Sequence, residues 1–250
     1  MWWAGVALLL ASIYVRPSAL PWAIVIGSAS LLIPPTDRPR KFPAVTTLVL
    51  LTVLTLLPWA IRNRGVVGAW VWTTTNDGFT LYDGLNPDAT GASDQTWTKS
   101  LPVLARLNEV ERSRYLSELA WDWAREHPTR VAELALAKLG RLWSPVPLSA
   151  EYGSKRLYVI AAGTHAVPLM LLALVALLPG GLPGRAKFYL LAPMLLLSAM
   201  HAVSVGSLRY RVPIHVPLAV LATSALVKVP TRDSGVEHDD EFKESDEIEG

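Results

Sequence analysis

Apolar positions along this chain fall in long blocks rather than in alternation. Phe42 to Ile61 runs 20 residues without a charge, Leu157 to Pro179 runs 23, and Phe188 to Leu208 runs 21. Each is long enough to cross a hydrocarbon layer roughly 30 Å thick. Pro17 to Pro35 offers 19 more uncharged residues, Trp2 to Val15 offers 14, and Val212 to Val227 offers 16. At 1.5 Å per residue the last two reach only about 21 and 24 Å, so they need snorkelling flanks or partial insertion. No Lys or Arg precedes the first run and Arg16 follows it, so it reads as an anchor rather than a cleaved signal. The pattern predicts an all-α membrane protein of about six transmembrane helices with a small, mainly helical extracytoplasmic domain. Residues 1–61 carry about three spans, 62–156 the extracytoplasmic domain, 157–228 about three more spans, and 229–250 an acidic, disordered cytoplasmic tail.

Between Arg62 and Arg156 the pattern becomes that of a polar domain rich in Trp and Tyr, suited to lie against a membrane surface. Val71 to Asp94 carries Asn76-Asp77-Gly78, Asp83-Gly84, Asn86-Pro87 and Gly91, which predicts turns and loop rather than helix. Such small residues beside aromatic ones can wrap a polar ligand, and they equally make an ordinary hairpin. From Ser100, Leu104, Leu107, Val110, Leu116, Leu119 and Trp123 recur at helical spacing. Ser100 is a candidate cap with Pro102 in the first turn, and His127-Pro128 is the stop. A second amphipathic helix is expected from about Thr129 to Leu142, with Arg130, Glu133 and Lys138 available to headgroups or solvent. Two helices and a loop are too small to bury much core alone, so this domain must lean on the bilayer or the bundle.

Charge sets an expected direction. Arg38, Arg40 and Lys41 separate the second and third spans, and Arg185 with Lys187 separate the fourth and fifth, so both loops should be cytoplasmic. This puts Arg16, residues 62–156 and the Ser207 to Arg211 turn outside and the C-terminus in the cytoplasm, as a multi-pass protein of the cell inner membrane. Arg209 and Arg211 then lie on the face where positive charge is disfavoured. They either anchor phospholipid headgroups or hold a specific anionic substrate. His215, four residues after Arg211, falls near the same helix face.

Composition narrows the chemistry further. With 51% hydrophobic and 18% charged residues and a mean hydropathy of +0.32, a purely soluble enzyme is excluded. Cysteine is absent, which excludes disulfides and thiol catalysis. The net charge of +2 divides into −7 over Thr231 to Gly250 and +9 over the rest. That basic remainder suits membrane lipids or phosphates rather than nucleic acid, since its charges sit at the ends of apolar runs. The five histidines form no HExxH and no close pair, so no metal site is expected, and no nucleotide-binding or hydrolase motif is present. His165, His201 and His215 should face the bundle or a wet cavity. Asp77, Asp83, Asp88, Asp94 and Glu151 are the candidate outer carboxylates, and spacing selects none of them as a general base.

Leu57-Pro58-Trp59-Ala60-Ile61-Arg62-Asn63, followed by the segment from Thr75 to Gly91, resembles the membrane glycosyltransferases of the C-type fold. The resemblance is to bacterial relatives of dolichyl-phosphate-mannose protein mannosyltransferases and to lipid A aminoarabinose transferases. Asn76, Gly78, Tyr82, Gly84, Asn86, Pro87 and Gly91 match that family's outside loop, whereas Asp77 and Leu85 depart from it. Lys138 with Trp143, and Arg209-Tyr210-Arg211-Val212-Pro213, resemble its later motifs, in the family's order. The resemblance implies a polyprenyl-phosphate sugar as donor, no cofactor, and inverting transfer on the outer face. It implies a substrate site at Asn76, Gly78, Tyr82, Gly84, Asn86, Arg209, Tyr210 and Arg211, beside the His215 placed by spacing. Family members are much longer and carry a catalytic aspartate in the first outside loop. Here the link from Arg16 to Leu20 holds no acid. The chain is thus similar to the C-terminal half of such an enzyme, with its catalytic residue unknown and an N-terminal half expected upstream. A noncatalytic membrane subunit or remnant, binding lipid phosphate or scaffolding a partner, is the competing expectation.

Overall fold

The computed structural model describes residues 2–21, 42–179 and 182–227. The greater part of the Pro17 to Pro35 run, the Arg38, Arg40 and Lys41 cluster, and the acidic tail lie outside the described residues. Among the described residues there are helices and turns and no strand. In chain order the helices are α1 (Trp2–Val15), α2 (Phe42–Val67), α3 (Asp77–Gly84), α4 (Glu109–Glu126), α5 (Pro128–Trp143), α6 (Ala150–Gly153), α7 (Arg156–Ala176), α8 (Gly184–Val203) and α9 (Val212–Leu226).

Three helices among the described residues are long and apolar enough to cross a membrane: 22 residues of α2 from Thr46 to Val67, all 21 of α7 and all 20 of α8. The expectation of six is therefore not met at this level. α1 and α9 have 14 and 15 residues, about 21 to 23 Å of helix, short of a full crossing.

The apolar runs pack as two groups. Ala173 and Ala176 of α7, Met194 and Leu197 of α8, and Ile214, Leu218, Leu221 and Ala222 of α9 form one buried cluster, which Leu142 of α5 joins. Small residues on α7 let α9 approach closely. Leu10 and Ile13 of α1 pack on Leu56 of α2 in a second, smaller cluster. The Tyr14 hydroxyl of α1 donates to the Thr55 carbonyl on α2.

The segment between α2 and α7 has its own small core of Trp97, Leu104 and Leu116, with Phe79, Tyr82 and Tyr115 against it. Two expectations are corrected here. The stretch read as turns and loop contains a helix, α3, because Gly78 and Gly84 face close neighbours that tolerate no side chain. A Cβ at Gly78 would lie 1.8 Å from the Ser113 carbonyl oxygen of α4. The helix expected from Ser100 instead begins at Glu109, after two 3₁₀ segments, Gln95–Ser100 and Pro102–Arg106. Asn108 and Glu111 form a reciprocal capping box that satisfies the first-turn N–H groups, so the helix starts there rather than at Ser100. α5 runs from Pro128 to Trp143, within a residue of its expected ends at each side.

Candidate functional site

The Pro-Trp-x-x-Arg-Asn pattern at the end of α2 works as a staple. Trp59 Nε1 donates to the Thr73 carbonyl at 3.0 Å and Asn63 Nδ2 to the Val71 carbonyl at 2.9 Å. These two residues, one helical turn apart, pin the chain as it leaves the helix. Arg62 bonds Asn63 Oδ1 at 3.1 Å and sits 5.1 Å from the Trp59 ring centroid, which holds the amide in that orientation.

The stapled chain leads into α3 and the loop after it. Asn76 precedes the helix with its side chain exposed, and its carbonyl accepts from Thr80. Tyr82 is half-buried, edge-on to Trp97 at 4.9 Å between ring centroids. Burial, then the nearby Asp88 carboxylate, pushes its phenol pKa up. Asn86 is buried and closes the turn on itself: Nδ2 donates to the Tyr82 carbonyl at 2.7 Å while Oδ1 accepts from Asp88 N at 2.9 Å.

Among the acids between α2 and α7, Asp83 is buried and fully engaged. Its two carboxylate oxygens accept from Ser93 Oγ at 2.6 Å, Asp94 N at 3.0 Å and Trp97 Nε1 at 3.1 Å. Three donors replace the water that a buried carboxylate loses, so Asp83 holds the segment together. Asp94 caps the following 3₁₀ segment, and the Thr96 N–H on its carboxylate lowers its pKa. Asp77 lies in the first turn of α3, and partial desolvation raises its pKa.

This loop meets the turn after α8. Gly206 N donates to the Gly91 carbonyl at 2.9 Å. A Cβ at Gly84 would lie 1.9 Å from the Ser204 carbonyl oxygen, and one at Gly206 would lie 2.4 Å from that of Lys138. Gly91 adopts φ 86°, the left-handed region that glycine enters without steric cost. Two motif segments far apart in sequence, 76–91 and 203–211, are therefore brought together.

Lys138 lies beneath this junction and corrects another expectation. It is completely buried instead of available to headgroups. Its ammonium donates to the Val203 carbonyl, the last of α8, at 2.8 Å. Desolvation with no carboxylate beside it lowers its pKa to about 8. Arg211 is also buried, and its Nη1 donates to the Ser144 carbonyl at 2.8 Å and the Leu142 carbonyl at 3.4 Å. Each cation thus satisfies carbonyls that a helix C-terminus leaves without partners. Trp143 Nε1 adds a bond to Ser198 Oγ of α8 at 3.0 Å. The domain leans on the bundle through these contacts.

Arg209 has a different setting. It is exposed, its Nη2 donates to Tyr210 Oη at 2.8 Å, and its guanidinium carbon lies 4.8 Å from the Tyr210 ring centroid. Tyr210 stacks on the buried His201 ring at 4.4 Å. Arg16, just past α1, comes to 5.5 Å from the same tyrosine centroid. Sequence reasoning missed this contact, because nothing in spacing links a residue near the start of the chain to one near its end. Arg209 is exposed, whereas Arg211 is buried with its Nη1 on backbone carbonyls. His215 is half-buried, with its Nε2 3.4 Å from Arg211 Nε and its ring 5.9 Å from that of His165. His165 is exposed, with its ring turned toward His215 of α9.

Among the described residues no three His, Asp or Glu side chains converge to hold a metal ion. No family model matches the chain, and neither the curated proteins nor the solved structures contain a match.

Proposed function

We propose that this chain is the C-terminal part of a membrane glycosyltransferase that takes a polyprenyl-phosphate-linked sugar as donor at the outer face of the inner membrane. The observation that supports it most directly is the junction of Gly84 and Gly91 with Ser204 and Gly206. It assembles, at one end of the bundle, the two segments that resemble the family's motifs. In this reading α1 and α9 supply two short crossings beside the three long ones, and the 19-residue Pro17 to Pro35 run supplies the sixth. Residues 62–156 lie outside and the C-terminus in the cytoplasm, following the positive-inside rule. Arg209 and Tyr210 face the phosphate of the donor, where charge builds as the glycosidic bond breaks. Asn86, Gly78 and Gly84 act through shape, by closing the turn and seating it on its neighbours. Lipids and an N-terminal half encoded upstream are the partners.

One observation favours a second reading, a noncatalytic subunit that binds lipid phosphate. Asp83, the buried acid of the outer segment, is occupied by three donors and is not free to take a proton from an acceptor. Transfer of a labelled polyprenyl-phosphate sugar by the purified chain, alone and with the upstream product, separates the two. Turnover only with both chains supports the split enzyme. No turnover in either preparation, with lipid phosphate still bound, supports the subunit.

A further inference from the structure

Tyr210 has guanidinium groups from opposite ends of the chain at its ring, with Arg209 at 4.8 Å and Arg16 at 5.5 Å from its centroid. Two cations gathered at one side chain repel each other, and a protein ordinarily relieves this with a carboxylate. None of the described residues forms an ion pair with either of them. The ion pairs among the described residues are Arg125 with Asp122 and Arg130 with Glu133, both on the exposed surface of the outer domain. Arg16 is partly buried, which makes its uncompensated charge more costly than a fully solvated one.

The aromatic side chain between them is held in place. His201 stacks beneath Tyr210 with its ring plane tilted by only 17°. His201 Nδ1 lies 3.1 Å from the Val205 carbonyl, and since a carbonyl only accepts, Nδ1 carries the proton. His201 Nε2 is then an acceptor, and it is buried in a residue 7% exposed with no partner among the described residues. Tyr210 Oη accepts from Arg209 and keeps its own proton to donate. The cluster therefore offers two guanidinium forks and a phenol O–H as donors, with one buried acceptor beside them.

We infer that Arg16, Arg209 and Tyr210 form the grip for the phosphate of a lipid-borne phosphate ester, with Arg16 rather than Arg211 as the partner of Arg209. Guanidinium forks match phosphate oxygens two at a time, which a point-charge ammonium does not. Arg211 is only 5% exposed, and its Nη1 is bonded to the carbonyls of Leu142 and Ser144. The identity of the lipid rests on the reading above; the grip itself does not.

The test is equilibrium binding by the full chain in nanodiscs of zwitterionic phosphatidylcholine. The probes are a polyprenyl monophosphate, the matching polyprenol, phosphatidylglycerol and inorganic phosphate. The monophosphate is expected to bind and the polyprenol not. Arg16→Gln and Arg209→Gln each weaken binding about tenfold, the size of one lost charge-assisted contact. Arg16→Lys, which keeps the charge and loses the fork, falls between wild type and Arg16→Gln. Arg16→Glu abolishes binding without lowering the unfolding midpoint, because it supplies the missing carboxylate to Arg209. Wild-type affinity in a folded Arg16→Gln overturns the inference, as does equal binding of polyprenol. If phosphatidylglycerol or inorganic phosphate binds as tightly, with the same dependence on Arg16, the phosphate grip stands and the sugar-donor reading fails.

Discussion

Arg209 and Arg211 stand two positions apart in the same turn, yet they belong to different parts of the molecule. Arg211 is inside and bonded to main chain, as is Lys138, and neither pairs with a carboxylate among the described residues. Lys187 repeats the arrangement where the chain passes from α7 to α8, its ammonium donating to the Leu177 and Leu178 carbonyls at 3.0 and 2.8 Å. These cations are helix caps contributed by a neighbouring element or the next turn of chain. Arg209 and Arg16 share a tyrosine and have no such carbonyls. Lys138 and Arg211 hold the domain to the bundle through carbonyls and Lys187 joins α8 to the end of α7, whereas the Arg16 and Arg209 side chains meet Tyr210.

The largest effect expected from breaking this division is at Arg211. Arg211→Ala strands the Leu142 and Ser144 carbonyls and leaves a buried gap, a loss of about 4 kcal/mol. Arg209→Ala, by contrast, should stay within about 0.5 kcal/mol of wild type. Unfolding midpoints in detergent, followed by tryptophan fluorescence, compare the pair, and equal losses would erase the distinction.

Lys138 provides a pH-dependent version of the same comparison. Its folded pKa of about 8 lies below the 10.5 of a free lysine. Between these values the unfolded chain binds more protons than the folded one, so stability rises with pH. The burial cost is fully present below pH 8 and is relieved by the time the pH passes 10.5, a change of about 3 kcal/mol. Lys138→Met should remove this rise, read as the difference between variant and wild type across pH 7.5 to 10.

A smaller loss is expected at the junction of the two motif segments. Gly206→Ala puts a methyl against the Lys138 backbone, which cannot move aside as a flexible side chain would, and should cost about 2 kcal/mol. It should also weaken phosphate binding, since the 203–206 turn leads directly into Arg209. The smallest effect is local. Asn108→Ala removes the α4 cap for about 1 kcal/mol and leaves binding unchanged.

How much of this was legible beforehand depends on the range of the interaction. α5 was readable to within a residue because an apolar stripe, Pro128 at its start and Ser144-Pro145 after its end are local signals. The Asn108-x-x-Glu111 capping box is an equally local signal for the start of α4, one that Ser100 with Pro102 imitates eight residues earlier. α3 was hidden because its glycines, taken as turn formers, serve as contact points for α4 and the turn after α8. Lys138 looked like a surface residue on an amphipathic helix, since nothing local shows that α8 ends against it. Of the candidate site residues, Arg209 and Tyr210 remain at the exposed cluster. Arg211 and Asn86 are buried and bonded to backbone, and Arg16 reaches Tyr210 from the end of α1, a contact no local signal announces.

The capping of helix ends by Lys138, Lys187 and Arg211 has a consequence for how such a chain can diverge. Every amino acid brings a carbonyl oxygen, so whatever replaces Leu142, Ser144, Leu177, Leu178 or Val203 still presents the acceptor. No compensating exchange is required of the other half of the contact. Correlated substitution, the usual trace of two touching positions, should therefore be silent across these joints, while the cations themselves stay invariant amid neighbours free to drift.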